Sequence, residues 1–321
     1  MTDFTAPMFS DEDAARAHLE AIRWANGVYC PHCGNTDQAS IHKLEGKSHR
    51  PGLYQCNACR EHFTVTVGSV MERSHVKLHK WVFAFHLMAA SKKGISAHQL
   101  HRMIGVTYKT AWFMEHRIRE AMAENATSHS PIGGEGKTVE ADETYIGKKD
   151  DQSPWPQRKG RPYLKRKPGN IKRTVVALVE RGGHVRSFHV ESATKESVKH
   201  ILFTNADRKS TLYTDESRLY TELGKDFATH DTVNHSAGEY ARGKVHSNTI
   251  ENVFSVFKRG MHGTYQHCGE AHLHRYLAEF DFRYNRRSAL GIEDTERAHD
   301  AIKGAAGKRL TYNQTGQAPH A

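Results

Sequence analysis

The chain has 321 residues, of which 26% are charged and 37% hydrophobic, and a formal net charge of +10. That length holds two or three domains with a sizeable core, and the basic balance favours a polyanionic partner, nucleic acid above all, although a merely basic enzyme would share it. No apolar run approaches the roughly 18 residues of a membrane span. The acidic start (Asp3, Asp11, Glu12, Asp13) lacks the order of a signal peptide. A cytoplasmic, nucleoid-associated protein is therefore expected, whose five cysteines are metal ligands or free thiols.

Ser10 opens the first expected helix, with Asp13 at a capping-box-like offset and Ala14, Leu19, Ile22 and Trp24 following. Next come two CxxC pairs, Cys30–Cys33 and Cys56–Cys59, with 22 residues between them. Each pair bends a turn around one ion, and four thiolates make a closed tetrahedral Zn²⁺ site, structural because no position is open. A redox CxxC is the competing reading. Pro31 and Gly34 suit the tight first turn, and so small a module depends on its metal to fold. Cys268 is left over as a buried or incidental thiol.

Phe63 to Val67 alternates like a strand, and Lys80 to Ala90 reads as an apolar helix. Ile95–Met103 and Tyr108–Arg119, joined through Gly105-Val106-Thr107, fit a helix-turn-helix. Tyr108, Lys109, Thr110 and Trp112 then stand where a recognition helix meets base edges, and Lys92, Lys93, Arg102, Arg117 and Arg119 are candidates for phosphate contacts. The plainer reading is a helical hairpin packed by Trp112, Phe113, Met114 and Ile118. A small, polar stretch from Asn125 to Gly136 is a linker. The expected division is thus 1–70 (helix and zinc module), 71–128 (helix-turn-helix), 129–300 (one α/β domain) and 301–321 (polar tail).

Within the α/β domain, strands are expected at Thr138–Ile146, Thr174–Val179, Val185–Val190, Thr211–Thr214 and Thr229–Asn234. Helices are expected at Glu196–Phe203, Glu216–Leu223, Ser247–Met261 and Glu270–Tyr284. The run Thr174–Val179 is apolar throughout, as in a strand buried on both faces.

Acidic residues in these elements carry the chemistry. On the first strand Glu140, Asp142 and Thr144 share one face, while Val139, Ala141, Glu143 and Tyr145 take the other. Asp is disfavoured in mid-strand, and a metal would explain it there. Glu140 and Glu143 remain rivals to Asp142. Asp215 ends a short apolar strand, where capping the next helix would be an equally ordinary use. In Ser247–Met261, Ile250, Val253, Phe254, Phe257 and Met261 follow core spacing, and Asn248, Glu251, Ser255 and Lys258 form a second stripe. A solvated Glu/Lys edge is the plain alternative for that stripe.

Together, three strands, then helix, strand, helix, strand, helix, with acids on the first strand, the fourth strand and the last-but-one helix, follow the order of the ribonuclease H-like fold. With Cys30–Cys33, Cys56–Cys59 through Trp81, Val139–Gly147, Tyr213–Tyr220 and His246–Tyr265, the chain resembles bacterial insertion-sequence transposases of the DDE type that carry an N-terminal zinc ribbon. The resemblance spans residues 20 to 290 or so; the zinc ribbon alone is unspecific, whereas Asp-Glu-Thr-Tyr-Ile-Gly together with Asn-Thr-Ile-Glu and Lys-Arg-Gly is more telling. It implies a mixed five-stranded sheet with flanking helices, and Asp142, Asp215 and Glu251 as the catalytic and metal-binding acids. It also implies Lys258 as the trailing basic residue, with Asn248 as an auxiliary because some relatives use Asn as third ligand. Phe254 stands where the family often has Trp.

The implied function is cleavage and joining of double-stranded DNA at terminal inverted repeats. Two Mg²⁺ (or Mn²⁺) ions, which suit oxygen ligands, would be held by the three acids, with Zn²⁺ in the cysteine site. Synapsis of two ends calls for a homo-oligomer. The stretch Lys148–Arg173, with Arg158, Lys159, Arg161, Lys165, Arg166 and Lys167, reads as a contact to the DNA backbone, against the plain alternative of a solvated loop. A non-catalytic zinc-ribbon/helix-turn-helix DNA binder and another ribonuclease H-like nuclease are the competing functions.

Overall fold

Residues 2–124, 130–147, 172–234 and 241–311 are described by the structure, a computed structural model. Backbone contacts divide the chain into a first unit, Met1–Glu124 with Arg286–Ala321, and a second, Asn125–Asn285.

In the first unit α1 (Glu12–Arg23) is capped by Asp11, whose carboxylate accepts from Ala14 N at 2.7 Å. The cap expected at Ser10 is displaced by one residue, because a carboxylate is also favoured by the helix dipole. Ala15 and Leu19 form the buried side of α1. Strands β1 (Ile41–Leu44), β2 (Leu53–Cys56) and β3 (His62–Phe63) make an antiparallel sheet in that order. The alternation of Phe63 to Val67 does not extend β3, which ends at Phe63; the buried Phe63 and Val65 instead serve the small core. Trp24 packs edge-on against Tyr54 and Phe63, with ring centroids 5.0 and 6.0 Å apart.

Helix α2 (Leu78–Ala90) is buried through Trp81, Phe85 and Met88. The helix-turn-helix follows: α3 (Ala97–Ile104) is capped by Ser96, and α4 (Tyr108–Met122) by Thr107. Gly105 between them has φ of +63°, a left-handed C-cap at which a side chain would be strained.

The second unit is built on a mixed sheet. After β4 (Ile132–Gly133), β5 (Thr138–Ile146), β6 (Arg173–Glu180) and β7 (Val185–Val190) run as an antiparallel meander. Helix α5 (Lys195–Asn205) and β8 (Ala206–Asp207) lead to β9 (Thr211–Asp215), α6 (Arg218–Thr221) and β10 (Thr229–Val233). The sheet order is β10-β9-β5-β6-β7, with β9 parallel to both β5 and β10, while β4 and β8 pair separately. This is the ribonuclease H-like arrangement. Helices α7 (Asn248–Gly260) and α8 (Leu273–Asn285) cover one face, where Ile250, Val253, Phe254, Phe257 and Leu277 pack with Val175, Ala177 and Val179. On the other face Val198 and Leu202 of α5 and Tyr220 of α6 pack with Val139, Ala141, Val176 and Leu178. Strand β6 is thus buried on both sides, as its unbroken apolar run requires.

Helix α9 (Asp294–Lys303) is the last helix among the described residues, and its place differs from the expected 129–300 domain. It packs against α1, α2 and α4 in the first unit. Ala298, Ala301 and Ile302 are its buried side, and Arg297 donates to the Ala89 carbonyl. Beyond it Ala305 is also buried and accepts from Val70 N at 3.1 Å, so the first turn after α9 belongs to the core rather than to a polar tail. Small residues spaced for close helix approach explain this, a pattern too weak to separate from an exposed polar helix by hydropathy.

Candidate active site

Strand pairing brings two acids together. Glu140 of β5 is in parallel register with Tyr213 of β9, so two residues further on Asp142 and Asp215 share one face of the sheet. That face is the one covered by α7, since Asp142 opposes Ala177 of β6 and Ala177 packs with the α7 apolar side chains. Burial of Ile250, Val253, Phe254 and Phe257 fixes the rotation of α7 and leaves Glu251 on its exposed flank. Ser247, one turn earlier, donates its hydroxyl to Glu251 Oε1 at 2.8 Å, and Asp215 Oδ1 accepts from Ser217 N at 3.0 Å. The N-cap of α6 is Ser217 rather than Asp215, so the alternative capping role is only partly taken up.

The acids feel one another's charge. Burial pushes the Asp142 carboxyl up to about 8, reinforced by the negative charges of Asp215, Glu143 and Glu251 against a 2.7 Å hydrogen bond from Glu143 N. Such crowding of hard oxygen donors fits Mg²⁺ or Mn²⁺, whose charge would offset it. The acids converge more loosely than the cysteines, however. Among the described residues only the cysteines bring three or more donor atoms within 4.8 Å of one another. Asn248 is exposed on the first turn of α7, and half-buried Lys258 stands seven residues beyond Glu251, roughly 10 Å along the helix.

The two rival acids have other partners. Glu143 points to the opposite face, where the buried Tyr220 donates its hydroxyl to Oε2 at 2.7 Å. Burial pushes the Glu143 carboxyl up, a shift the Tyr220 hydrogen bond opposes and Asp215 adds to. Glu140 is fully buried and accepts from Arg181 Nε at 2.6 Å, Thr249 Oγ1 at 3.0 Å and Ile250 N at 2.9 Å. Arg181 escaped the sequence reading, as an arginine opening an Arg-Gly-Gly hairpin turn gives no signal of a partner on another strand.

The cysteines form the expected closed set. Cys30 Sγ lies 3.6 Å from Cys59 Sγ, and Cys33 Sγ 3.7 Å from Cys56 Sγ. The residues after each pair, Gly34 and Arg60, both have positive φ (+76° and +63°), the bend that turns backbone amides toward sulfur. The Cys56 thiol is drawn down to about 6 by the Cys59 amide, with Asn35 and Ala58 contributing, while burial and the neighbouring sulfurs push the Cys59 thiol up to about 12. Four sulfur donors and no open position are the donor set of a structural zinc.

In the helix-turn-helix, Tyr108 and Lys109 are exposed at the start of α4, and Tyr108 stacks on His98 of α3 with centroids 4.2 Å apart. Lys92, Lys93 and Arg102 are exposed too. Arg117 and Arg119 are engaged within the protein. Arg119 is fully buried and paired with Glu115 at 3.1 Å, while Arg117 donates to the Glu72 and Leu310 carbonyls. Arg173 likewise is buried and donates to the Cys268 carbonyl. Arg158, Lys159, Arg161, Lys165, Arg166 and Lys167 lie outside the described residues. No helix among the described residues is long and apolar enough to cross a membrane.

Residues 10–62 match the transposase zinc-ribbon domain family, and residues 133–285 match the ISXO2-like transposase domain family. An uncharacterized protein in transposable element ISH50 of Halobacterium salinarum is 32% identical over 283 residues, covering 86% of this chain and 91% of that protein. Among solved structures, a pre-cleavage Mos1 transpososome aligns at 10% identity over 64% of this chain and 70% of its own, with a TM-score of 0.26. The Mos1 strand transfer complex aligns at 11% identity over 59% of this chain and 71% of its own, with a TM-score of 0.23.

Proposed function

We propose that this chain, which belongs to the family of ISXO2-like transposases with a zinc ribbon, cuts and joins DNA at insertion-sequence ends through Asp142, Asp215 and Glu251. One observation supports this most: burial pushes the Asp142 carboxyl of β5 up to about 8, and the negative charges of Asp215 on β9, of Glu143 and, least, of Glu251 on α7 add to the shift. A strand interior does not favour such a residue, and burial beside like charges is costly unless a cation is to be held.

Two divalent cations, when bound, supply Lewis-acid polarisation of the phosphate and activation of the attacking oxygen. Asp142, which feels the charge of both other acids, would hold the cations together with Asp215 and Glu251. Asp215, whose Oδ1 accepts from Ser217 N, and Glu251, held by Ser247, would complete the donor set. Lys258, further along α7, neutralises a DNA phosphate, and Asn248 is an auxiliary donor at the helix start. Terminal-repeat DNA is bound by the first unit through the exposed start of α4, Tyr108 and Lys109. The basic residues 158–167 add sequence-independent, salt-sensitive contact to the DNA backbone. Joining two ends requires at least two copies of the chain.

The test is strand cleavage and strand transfer on DNA flanking the gene, with Mg²⁺ or Mn²⁺, comparing wild type with Asp142→Asn. Metal-dependent joining that disappears in the variant while DNA binding persists is the expected result. Transfer retained by Asp142→Asn would remove Asp142 from the site, and binding to verified ends without any cleavage would make the chain a DNA-binding protein only.

A further inference from the structure

Glu140 lies on the same face of β5 as Asp142, two residues away, yet its carboxylate is fully buried and points into the start of α7. There it does what a cap normally does. Ser247, the residue at the N-cap position, makes no side-chain cap, because its hydroxyl is given to Glu251. The orphan amide of Ile250, in the first turn, is instead taken by Glu140 Oε2 at 2.9 Å, from another element of the fold. Thr249 adds its hydroxyl to Oε1 at 3.0 Å.

Arg181 completes the node. Its Nε meets Glu140 Oε1 at 2.6 Å, and its terminal nitrogens donate to the Lys244 carbonyl at 2.8 Å and the His246 carbonyl at 2.7 Å. Its guanidinium lies over the Tyr213 ring, 4.7 Å from the centroid. Tyr213 precedes Asp215 by two residues on β9, as Glu140 precedes Asp142 on β5. One ion pair, buried on its Glu140 side, therefore ties together the three elements that carry the three acids.

We infer that Glu140, with Arg181, is a positioning residue that locks the N-terminal turn of α7 to β5 and β9 and so sets the reach of Glu251 toward the cation held by Asp142. It is not itself a ligand, since its oxygens are occupied by Arg181, Thr249 and Ile250. This inference rests on the metal-binding reading above. Partners behind metal ligands commonly govern affinity rather than stoichiometry, by about 10- to 100-fold.

The experiment is Mn²⁺ binding by the full chain without DNA, read as free Mn²⁺ by electron paramagnetic resonance, for wild type, Glu140→Gln and Thr249→Val. Asp142→Asn marks the signal that belongs to the site. Glu140→Gln keeps the shape and an acceptor but loses the ion pair, and its affinity should fall about 10-fold or more at unchanged stoichiometry. Thr249→Val removes one hydrogen bond and should shift affinity the same way by about 2- to 5-fold. It remains the deciding variant if Glu140→Gln does not fold. Affinities within about twofold of wild type in the folded variants would overturn the clamp. So would loss of a bound ion in Glu140→Gln, which would make Glu140 a ligand. A wild type that binds Mn²⁺ but cuts no terminal DNA would refute the transposition chemistry and leave the clamp to be judged on these affinities.

Discussion

Replacing Asp142 with Asn should make the metal-free second unit more stable at alkaline pH. In the unfolded chain the Asp carboxyl titrates at about 3.9, whereas in the fold burial and neighbouring acids push it up to about 8. The folded state thus keeps a proton that the unfolded state has lost. Stability contributed by that proton is fully present below about pH 4 and is lost as pH rises through about 8. Linkage alone sets an upper bound of about 5 kcal/mol at pH 8, and side-chain relaxation and water entry reduce this to about 1–3 kcal/mol. Asn keeps the oxygen that accepts from Glu143 N and removes only the charge. Mg²⁺ at ten times its dissociation constant should restore about 1.4 kcal/mol to wild type and nothing to the variant. Tryptophan fluorescence would report mainly the first unit, where Trp24, Trp81 and Trp112 of the four tryptophans lie. Hydrogen exchange of β5 and β6 peptides, at pH 5 and 8 with and without Mg²⁺ and corrected for intrinsic exchange rates, reads it directly. Protection in Asp142→Asn that is no higher than wild type at pH 8 without Mg²⁺ would refute the crowded-acid reasoning.

Chelating the metal, or Cys33→Ser, should release about one zinc per chain and red-shift the Trp24 emission, because the aromatic packing of Trp24 on Tyr54 and Phe63 rests on that module; unchanged emission after verified zinc loss would count against it. The first unit should lose stability in acid. His18 of α1 and His299 of α9 stand 5.0 Å apart, both held below the usual histidine range chiefly by burial, with Lys303, Asp300 and Glu296 also facing His299. Their contribution is intact above about pH 6.5 and declines as pH falls through the depressed values, so His299→Gln should flatten the acid side of the melting curve. Lys109→Ala should weaken DNA binding and reduce the salt slope by about 1, leaving the melting temperature unchanged because the side chain is exposed; an unaltered slope would take Lys109 off the DNA. Tyr220→Phe should destabilise the second unit by about 1–3 kcal/mol, since the half-buried Glu143 carboxyl loses its hydroxyl donor; equal urea midpoints would show that water replaces it.

Much of the fold was readable because its periodicities are strong. The apolar run of β6 and the spacing of Ile250, Val253, Phe254 and Phe257 each dictate one mode of burial, and both elements lie where expected. The paired cysteines were readable because ligand spacing is local. What escaped depends on contacts distant in sequence. Helix α9 is buried through Ala298 and Ala301, residues whose small size matters only against α1, α2 and α4. Arg117, Arg119 and Arg173 look like phosphate ligands in a basic chain, yet each is engaged inside its own unit. A charge in sequence has no direction; its partner supplies one.

Strand β5 makes the same point about the site itself. Three acids fall within four residues, Glu140, Asp142 and Glu143, and propensity marks all three as equally out of place. Alternation separates Glu143 from the others, and the structure then gives it Tyr220 for a partner. Alternation cannot separate Glu140 from Asp142, which share a face. The difference lies in what each meets. Glu140 finds a guanidinium, a hydroxyl and an orphan amide, and Asp142 finds further anions. A carboxylate whose neighbours cancel its charge is part of the framework. One whose neighbours repeat its charge is suited to a cation, and on that ground we propose the chemistry for Asp142 and the alignment of α7 for Glu140.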